Sequence, residues 1–283
     1  MNDKIYLDFK TKQVGHGLDT LFCNWEGAKS ESVLILSPHD DDAILGTGNL
    51  IQACKAEGVR VDIAILCDGS AGYTDAALKD TIVALRKQET RKAYAVVGLA
   101  ESQLHFFDYP DFSLPAYLGW KLPGGSKGCF EPLIKLMRSL RVTRLFFTKG
   151  NGEHPDHDAA FFAGCFYGVQ SGDSVCVDLG EPSVIKSFHT YAVWSDFSQE
   201  GEDPSNQVRR GICVPKAAEE ELIKAATQFS SQDAIIQQLV QKREGRKTSY
   251  GYLEAYGDVV CRPPLDYKPY AAKAEAILSG KCN

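Results

Sequence analysis

Two short stretches of this sequence carry residue types that do chemistry. The first is Pro38-His39-Asp40-Asp41-Asp42. A histidine followed at i+2 and i+3 by carboxylates, on a turn between a strand and a helix, can put one imidazole and one carboxylate on a metal ion. The intervening acid is then left free. Three consecutive aspartates also suit a helix N-terminus, where the dipole favours negative charge, so a plain helix cap is the competing reading. The second stretch is His154-Pro155-Asp156-His157. Two histidines three apart can face one site, although proline and aspartate also make an ordinary surface turn. Of the 6 histidines in the chain, three lie in these two stretches. Together the stretches offer His39, Asp42 and His157 as ligands for one divalent ion. Three protein ligands with an open position describe a catalytic site rather than a closed structural one. Zn2+ fits imidazole plus carboxylate, and Fe2+ or another divalent ion fits the same set.

Both stretches follow apolar, β-branched runs that must position them. The pattern predicts strands over 32–37, 59–67, 103–107 and 143–148, alternating with helices over 43–57, 82–97, 130–140 and 157–168. Further strands are expected at 174–178 and 187–194, and a helix at 217–240. Strand–helix alternation with near-continuous apolar strands implies a Rossmann-like α/β fold: a mostly parallel sheet with helices on both faces and right-handed crossovers. Open sheets of this kind place their sites at the carboxyl ends of the strands, where both stretches fall. A single domain over 1–283 is expected, with a core of about 30–195 and a C-terminal helical extension of about 215–283. The long polar loops 112–128 and 195–210 are expected to carry specificity and motion.

Composition narrows the partners. The chain has 283 residues, 44% hydrophobic and 24% charged, with a net charge of −6. A mildly acidic chain without a Lys/Arg run is a poor nucleic-acid binder. No run reaches the roughly 18 apolar residues of a membrane span, and no secretory signal is read at the start. Nine widely spaced cysteines, none in a Cys-x-x-Cys pair, fit free thiols in a reducing cytoplasm. A small-molecule substrate is the expected partner, and a homo-oligomer is compatible with the sequence. Other features are set aside. His105 and His189 lie in strands and read as structural, and His16 as surface. Gly46-Thr47-Gly48 lies inside a helix rather than at a strand–helix turn, so it is no dinucleotide fingerprint. Gly124-Gly125-Ser126-Lys127 lacks a preceding strand, and no Gly-x-Ser-x-Gly supports a serine hydrolase. Tyr109, Phe112 and Tyr117 read as packing residues; Trp120, in a long loop, also offers a face for a sugar ring.

At its two motifs the chain resembles the LmbE/PIG-L family of metal-dependent deacetylases, whose members carry His-Pro-Asp-Asp-Glu after the first strand and His-Pro-Asp-His after a later one. The resemblance extends to Asp68-Gly69-Ser70-Ala71-Gly72, to Arg86 and Glu89 on the next helix with Ala93 and Gly98-Leu99 following, and to Tyr109-Pro110-Asp111. It spans 33–160 well and the tail, through Ser231-Gln232 and 252–256, only loosely. Two departures matter. The family's proline is Asp40 here, which stands as a rival to Asp42 or as a substrate contact. The family's glutamate is Ala43, which removes an acid beside the ligands.

The resemblance implies a zinc-dependent N-deacetylase, a hydrolase acting on a C–N bond outside peptides, that removes an N-acyl group from an amino sugar or its conjugate. It implies His39, Asp42 and His157 as metal ligands, Asp41 as general base, and a protonated His154 at the oxyanion. Arg86 and Asp111 are implied as substrate contacts, and Asp40, where the chain departs from the family, is expected beside them. The chemistry supports these roles: hydrolysing an amide needs an activated water, a proton shuttle and oxyanion stabilisation. The rivals are an amidase acting on a thiol conjugate or other amide, a non-catalytic sugar- or nucleotide-binding module of the same fold, and a non-haem iron oxygenase.

Overall fold

The structure, a computed structural model, describes residues 4–199, 203 and 206–280. Cys282 and part of the 195–210 loop lie outside the described residues. Two short strands, β1 (Ile5–Asp8) and β2 (Gln13–Gly15), come first. The alternating part follows: β3 (Ser32–Ser37), α1 (Asp42–Ala56), β4 (Arg60–Cys67), α2 (Ile82–Val96), β5 (Leu104–Tyr109), α3 (Phe130–Ser139), β6 (Arg144–Thr148), α4 (Pro155–Gln170) and β7 (Ser187–Tyr191). The remainder holds β8 (Arg210–Val214), α5 (Lys216–Ala226), α6 (Asp233–Lys242), β9 (Lys247–Thr248), β10 (Gly251–Val259) and α7 (Lys268–Leu278).

These strands form one sheet in the order β2-β1-β8-β10-β7-β6-β3-β4-β5, with β9 paired to β10. From β7 to β5 the pairing is parallel, which gives the α/β layers that the alternation implies. Its inner strands read as unbroken apolar runs because both faces are covered. In β3, Val33 and Ile35 enter the core on one face with Ile44, Leu50 and Tyr94. Leu34 and Leu36 enter the other with Leu133, Met137 and Ala163. Each such aliphatic side chain contributes about 1.5–3 kcal/mol on burial.

From β10 to β2 the pairing is antiparallel. The C-terminal part is therefore not helical throughout: β10 inserts between β8 and β7. Two other expectations are corrected. Residues 174–178 form a turn rather than a strand. The buried Arg138 guanidinium donates to the carbonyls of Ser171, Asp173, Val175, Cys176 and Gly180 at 2.7–3.0 Å, which curls the segment around it and takes the Val175 and Cys176 carbonyls that a ladder would need. The helix expected over 217–240 breaks into α5 and α6. Glu89 on α2 pulls the intervening serines out of helical register by accepting from Ser231 N, Ser230 Oγ and Ser231 Oγ.

Gly46 and Gly48 serve packing. A Cβ on Gly46 would stand 2.2 Å from the Tyr191 ring, and one on Gly48 2.3 Å from Leu222. α1 kinks at Thr47, whose φ is −137°. The buried Glu254 carboxylate of β10 meets the freed backbone N–H groups of Asn49 and Leu50 at 3.2 and 2.9 Å.

A polar chain crosses the sheet. Arg144 on β6 pairs with Glu31 and reaches Ser187 Oγ. Ser187 meets His189 at 2.8 Å, His189 meets Asp258 of β10 at 2.8 Å, and Arg210 joins Asp258 to Asp8. Burial alone would raise the Glu31, Asp258 and Asp8 carboxyls, but hydrogen bonds and cationic neighbours outweigh it and hold all three below the usual range. A depressed folded-state value means stability that is present above the unfolded value and lost as pH falls through the folded one. The melting temperature is therefore expected to fall steeply below about pH 4. In Asp258→Asn the loss is expected to be present already at pH 7, with a shallower acid slope. Parallel melting curves for the two proteins between pH 3 and 7 would dismiss this account.

Candidate metal centre

Asp41 occupies the N-cap position of α1 but makes no capping hydrogen bond. The plain-cap reading therefore does not account for it. Asp42 turns its carboxylate back: Oδ2 accepts from His39 N at 2.8 Å and lies 3.2 Å from His39 Nδ1. Ser37 Oγ serves the helix start instead, accepting from Ala43 N at 3.0 Å. The next parallel strand, β6, leads into α4 and brings His157 Nε2 to 3.2 Å from the same Asp42 oxygen. One ligand atom each from His39, Asp42 and His157 lies within 4.8 Å of the others.

Carboxylates orient both imidazoles. His157 Nδ1 meets Glu153 Oε2 at 3.0 Å, and His39 Nε2 meets Asp156 Oδ2 at 3.3 Å. Each ring then offers its other nitrogen toward Asp42, as the carboxylate–histidine pairing of metal sites requires. His157 Nε2 is buried and has no hydrogen-bond partner besides the Asp42 oxygen 3.2 Å away. A buried polar atom short of a hydrogen bond costs about 1–3 kcal/mol, so its lone pair fits a cation. The electrostatics agree. Burial opposes it, yet Asp156 and Asp42 raise His39 well above its usual value, and Asp42 raises His157 to about 9. Asp42 itself is held far below the carboxylate range by His157 and His39 against the burial that would raise it. The cluster thus draws positive charge into itself. Cys67 forms a second trio with His39 and Asp156. That trio fits a cation poorly: burial and the surrounding acids keep the thiol protonated, and Asp156 already accepts from Phe112 N and Leu114 N.

Asp40 faces away from this cluster. Its carboxylate is 5% exposed and is held by Arg86, by Thr90 Oγ1 at 2.9 Å, and through its backbone carbonyl by Tyr94. Arg86 also lies 3.4 Å from Asp41. The expectation that Asp40 rivals Asp42 or touches substrate is corrected, and buried Arg86 is likewise committed to the two aspartates. Asp40→Asn leaves the guanidinium short of one charge, and a loss of about 3 kcal/mol is expected. Metal stoichiometry should not change. Urea unfolding with metal analysis checks both; unchanged stability would count against the ion-pair role. Asp41 is 13% exposed. Burial raises it to about 6, against the pull of Arg86.

His154 caps α4, its Nδ1 accepting from Asp156 N at 3.2 Å. That hydrogen bond leaves the proton of the neutral ring on Nε2. Burial and the neighbouring His39 lower its pKa, which favours the neutral ring over the protonated one expected from the sequence. Phe112, 62% exposed and at φ 60°, lays its ring 4.4 Å from the His154 ring. Asp111 acts on His39 through its charge. It accepts from Gly69 N and Ala71 N at 2.9 and 3.0 Å and shapes the 68–72 turn. Sequence reasoning missed Glu153 and its tie to the second long loop, through Ser195 N at 2.9 Å. The signal was its place one helical turn before His157.

The 112–128 loop closes on itself through Leu122 N to Ser126 O and Gly128 N to Trp120 O. Trp120 is 47% exposed, near Lys121 rather than near the ligands.

The profile of one protein family, PIG-L, described as GlcNAc-PI de-N-acetylase, matches residues 34–165. The chain is 35% identical over 85 residues to a diacetylchitobiose deacetylase of Thermococcus kodakarensis, covering 30% of this chain and 32% of that protein. It is 31% identical over 142 residues to a probable N-acetyl-alpha-D-glucosaminyl L-malate deacetylase 2 of Bacillus subtilis, covering 46% and 57%. The chain thus aligns with between a third and just over half of these relatives' lengths. Among solved structures, the N,N'-diacetylchitobiose deacetylase of Pyrococcus horikoshii superposes with a TM-score of 0.64 at 21% identity, over 82% of this chain and 84% of that one. That likeness establishes the fold.

Proposed function

We propose, from the match of residues 34–165 to the PIG-L (LmbE-like) deacetylase family, that the protein is a metal-dependent hydrolase removing an N-acyl group, N-acetyl first of all, from an amino sugar or its conjugate. The observation that carries the reading is the buried Nε2 of His157, facing Asp42 beside His39. His39, Asp42 and His157 would hold a divalent ion, zinc by the chemistry of the donor set. When bound, such an ion lowers the pKa of a water and polarises the acyl carbonyl.

The chain's own groups do the rest. Asp41, free of capping and next in sequence to a ligand, accepts the proton of the attacking water and returns it to the leaving amine. A carboxylate near 6 is matched to that double duty at neutral pH. His154 donates Nε2–H to the carbonyl oxygen as charge builds there. Glu153 and Asp156 keep both ligand rings turned to the centre. Arg86 and Asp40 fix Asp41 from behind.

Among the described residues no helix is long and apolar enough to cross a membrane. The described cysteines are free thiols, which supports a reducing compartment, and we assign the protein to the cytoplasm on that ground. Acetylated glucosamines and their glycosides, incubated with the Zn2+-loaded protein, should release primary amine and acetate one for one. A panel yielding no amine while the protein holds its metal would refute the reading.

A further inference from the structure

We infer that the cavity beside His154 is a subsite for an apolar aglycone, the non-sugar group carried by the amino-sugar substrate. The inference rests on the proposed deacetylase reading and deepens it. A cavity of about 480 Å³ is lined by Pro115, Leu118, His154, Pro155, Ala159 and Phe162. His154 is the only one of these given a role at the scissile amide. The ligands His39, Asp42 and His157 do not line the cavity, nor does Asp41. The space therefore adjoins the proposed centre through His154 alone, and the part of a substrate that fills it is assigned beyond the reacting sugar.

The chemistry of the walls selects what fits. Positions 155, 159 and 162 lie on one stripe of α4, and the stripe continues to Phe166. Phe162 is 40% exposed and Phe166 56%, with their rings 4.5 Å apart. Ala160, Ala163 and Gly164 on the same helix are buried against the sheet, so the two phenylalanines are not needed for its docking. Exposed aromatics that run out from a cavity at a catalytic residue mark a ligand surface. One carboxylate, Asp158, borders it and is already engaged by Gly152 N at 3.0 Å. The subsite accordingly takes an alkyl or aryl group and not a second charged sugar.

The test compares methyl and octyl N-acetylglucosaminides with the zinc-loaded protein. The octyl glycoside is expected to show about tenfold higher kcat/KM, carried by KM, since each buried methylene adds a fraction of a tenfold step. Phe162→Ser and Leu118→Gln should bring the octyl-to-methyl ratio close to one. Tyr250→Ser, on an exposed turn outside the site, should preserve it. A wild-type ratio of one, or a ratio untouched by Phe162→Ser, overturns the subsite. So does a preference that follows N-acyl chain length at a fixed methyl aglycone. If neither glycoside releases amine, the deacetylase reading fails, and calorimetric binding of the two glycosides reads the subsite alone. Tighter octyl binding that Phe162→Ser abolishes then supports it, and equal binding overturns it.

Discussion

Replacing Asp41 by asparagine will leave metal bound and lower turnover by about 10²-fold or more. The substitution keeps shape and hydrogen-bonding capacity but removes the proton acceptor. Asp41 sits between His39 and Asp42 in the chain, yet its carboxylate is not among the clustered ligand atoms and makes no capping bond. Nothing in the fold of α1 therefore requires its charge except Arg86, which keeps Asp40 as its main partner. The loss should fall on kcat with little change in KM, because proton transfer acts in the transition state. Metal content by elemental analysis and steady-state kinetics on the same preparation decide it. Near-normal turnover removes Asp41 as the base and makes Asp156 the next acid to test.

Replacing His157 by alanine will empty the centre. His157 supplies one of three ligand atoms, from a fully buried position on α4. With two ligands left, binding should fall to the level of adventitious sites and activity should vanish with it. Chelation of the unmodified protein should likewise abolish activity, and added Zn2+ or Fe2+ should restore it. Alanine also leaves a cavity, so Glu153→Gln is the companion variant. It keeps volume but weakens the acceptor at Nδ1, and about 10- to 100-fold lower metal affinity is expected. Full metal occupancy in His157→Ala, with circular dichroism unchanged, would strike His157 from the ligand set.

The parallel strands were legible because double-sided burial leaves an unbroken apolar run such as 32–37. β10 was not. Its register puts Glu254 inside the protein, and a carboxylate in the middle of a run reads as surface until the kink it serves in α1 is known. The candidate ligands were legible because each motif is contiguous and follows a strand. Their supports were not, since Arg86 reaches Asp40 across 46 positions and only the fold brings α2 to the turn before α1, where Thr90 and Tyr94 meet Asp40 too. Asp40 illustrates the limit: its type suited a ligand or a substrate contact equally well, and burial decided for neither.

The place of β10 has a consequence for how the protein is made. Every residue of the candidate centre lies at or before His157, so a ribosome completes the centre's sequence before it reaches β10. The strand that joins β7 to β8 comes from 251–259, well after the centre's last residue. Until it emerges, β7 and β8 each carry an unpaired edge, the kind that captures strands from other chains. The kink of α1, just behind Asp41 and Asp42, also awaits Glu254 from that same strand. A nascent chain halted before residue 251 would hold the whole chemical motif on an unfinished sheet, and is expected to aggregate rather than fold to a smaller active form.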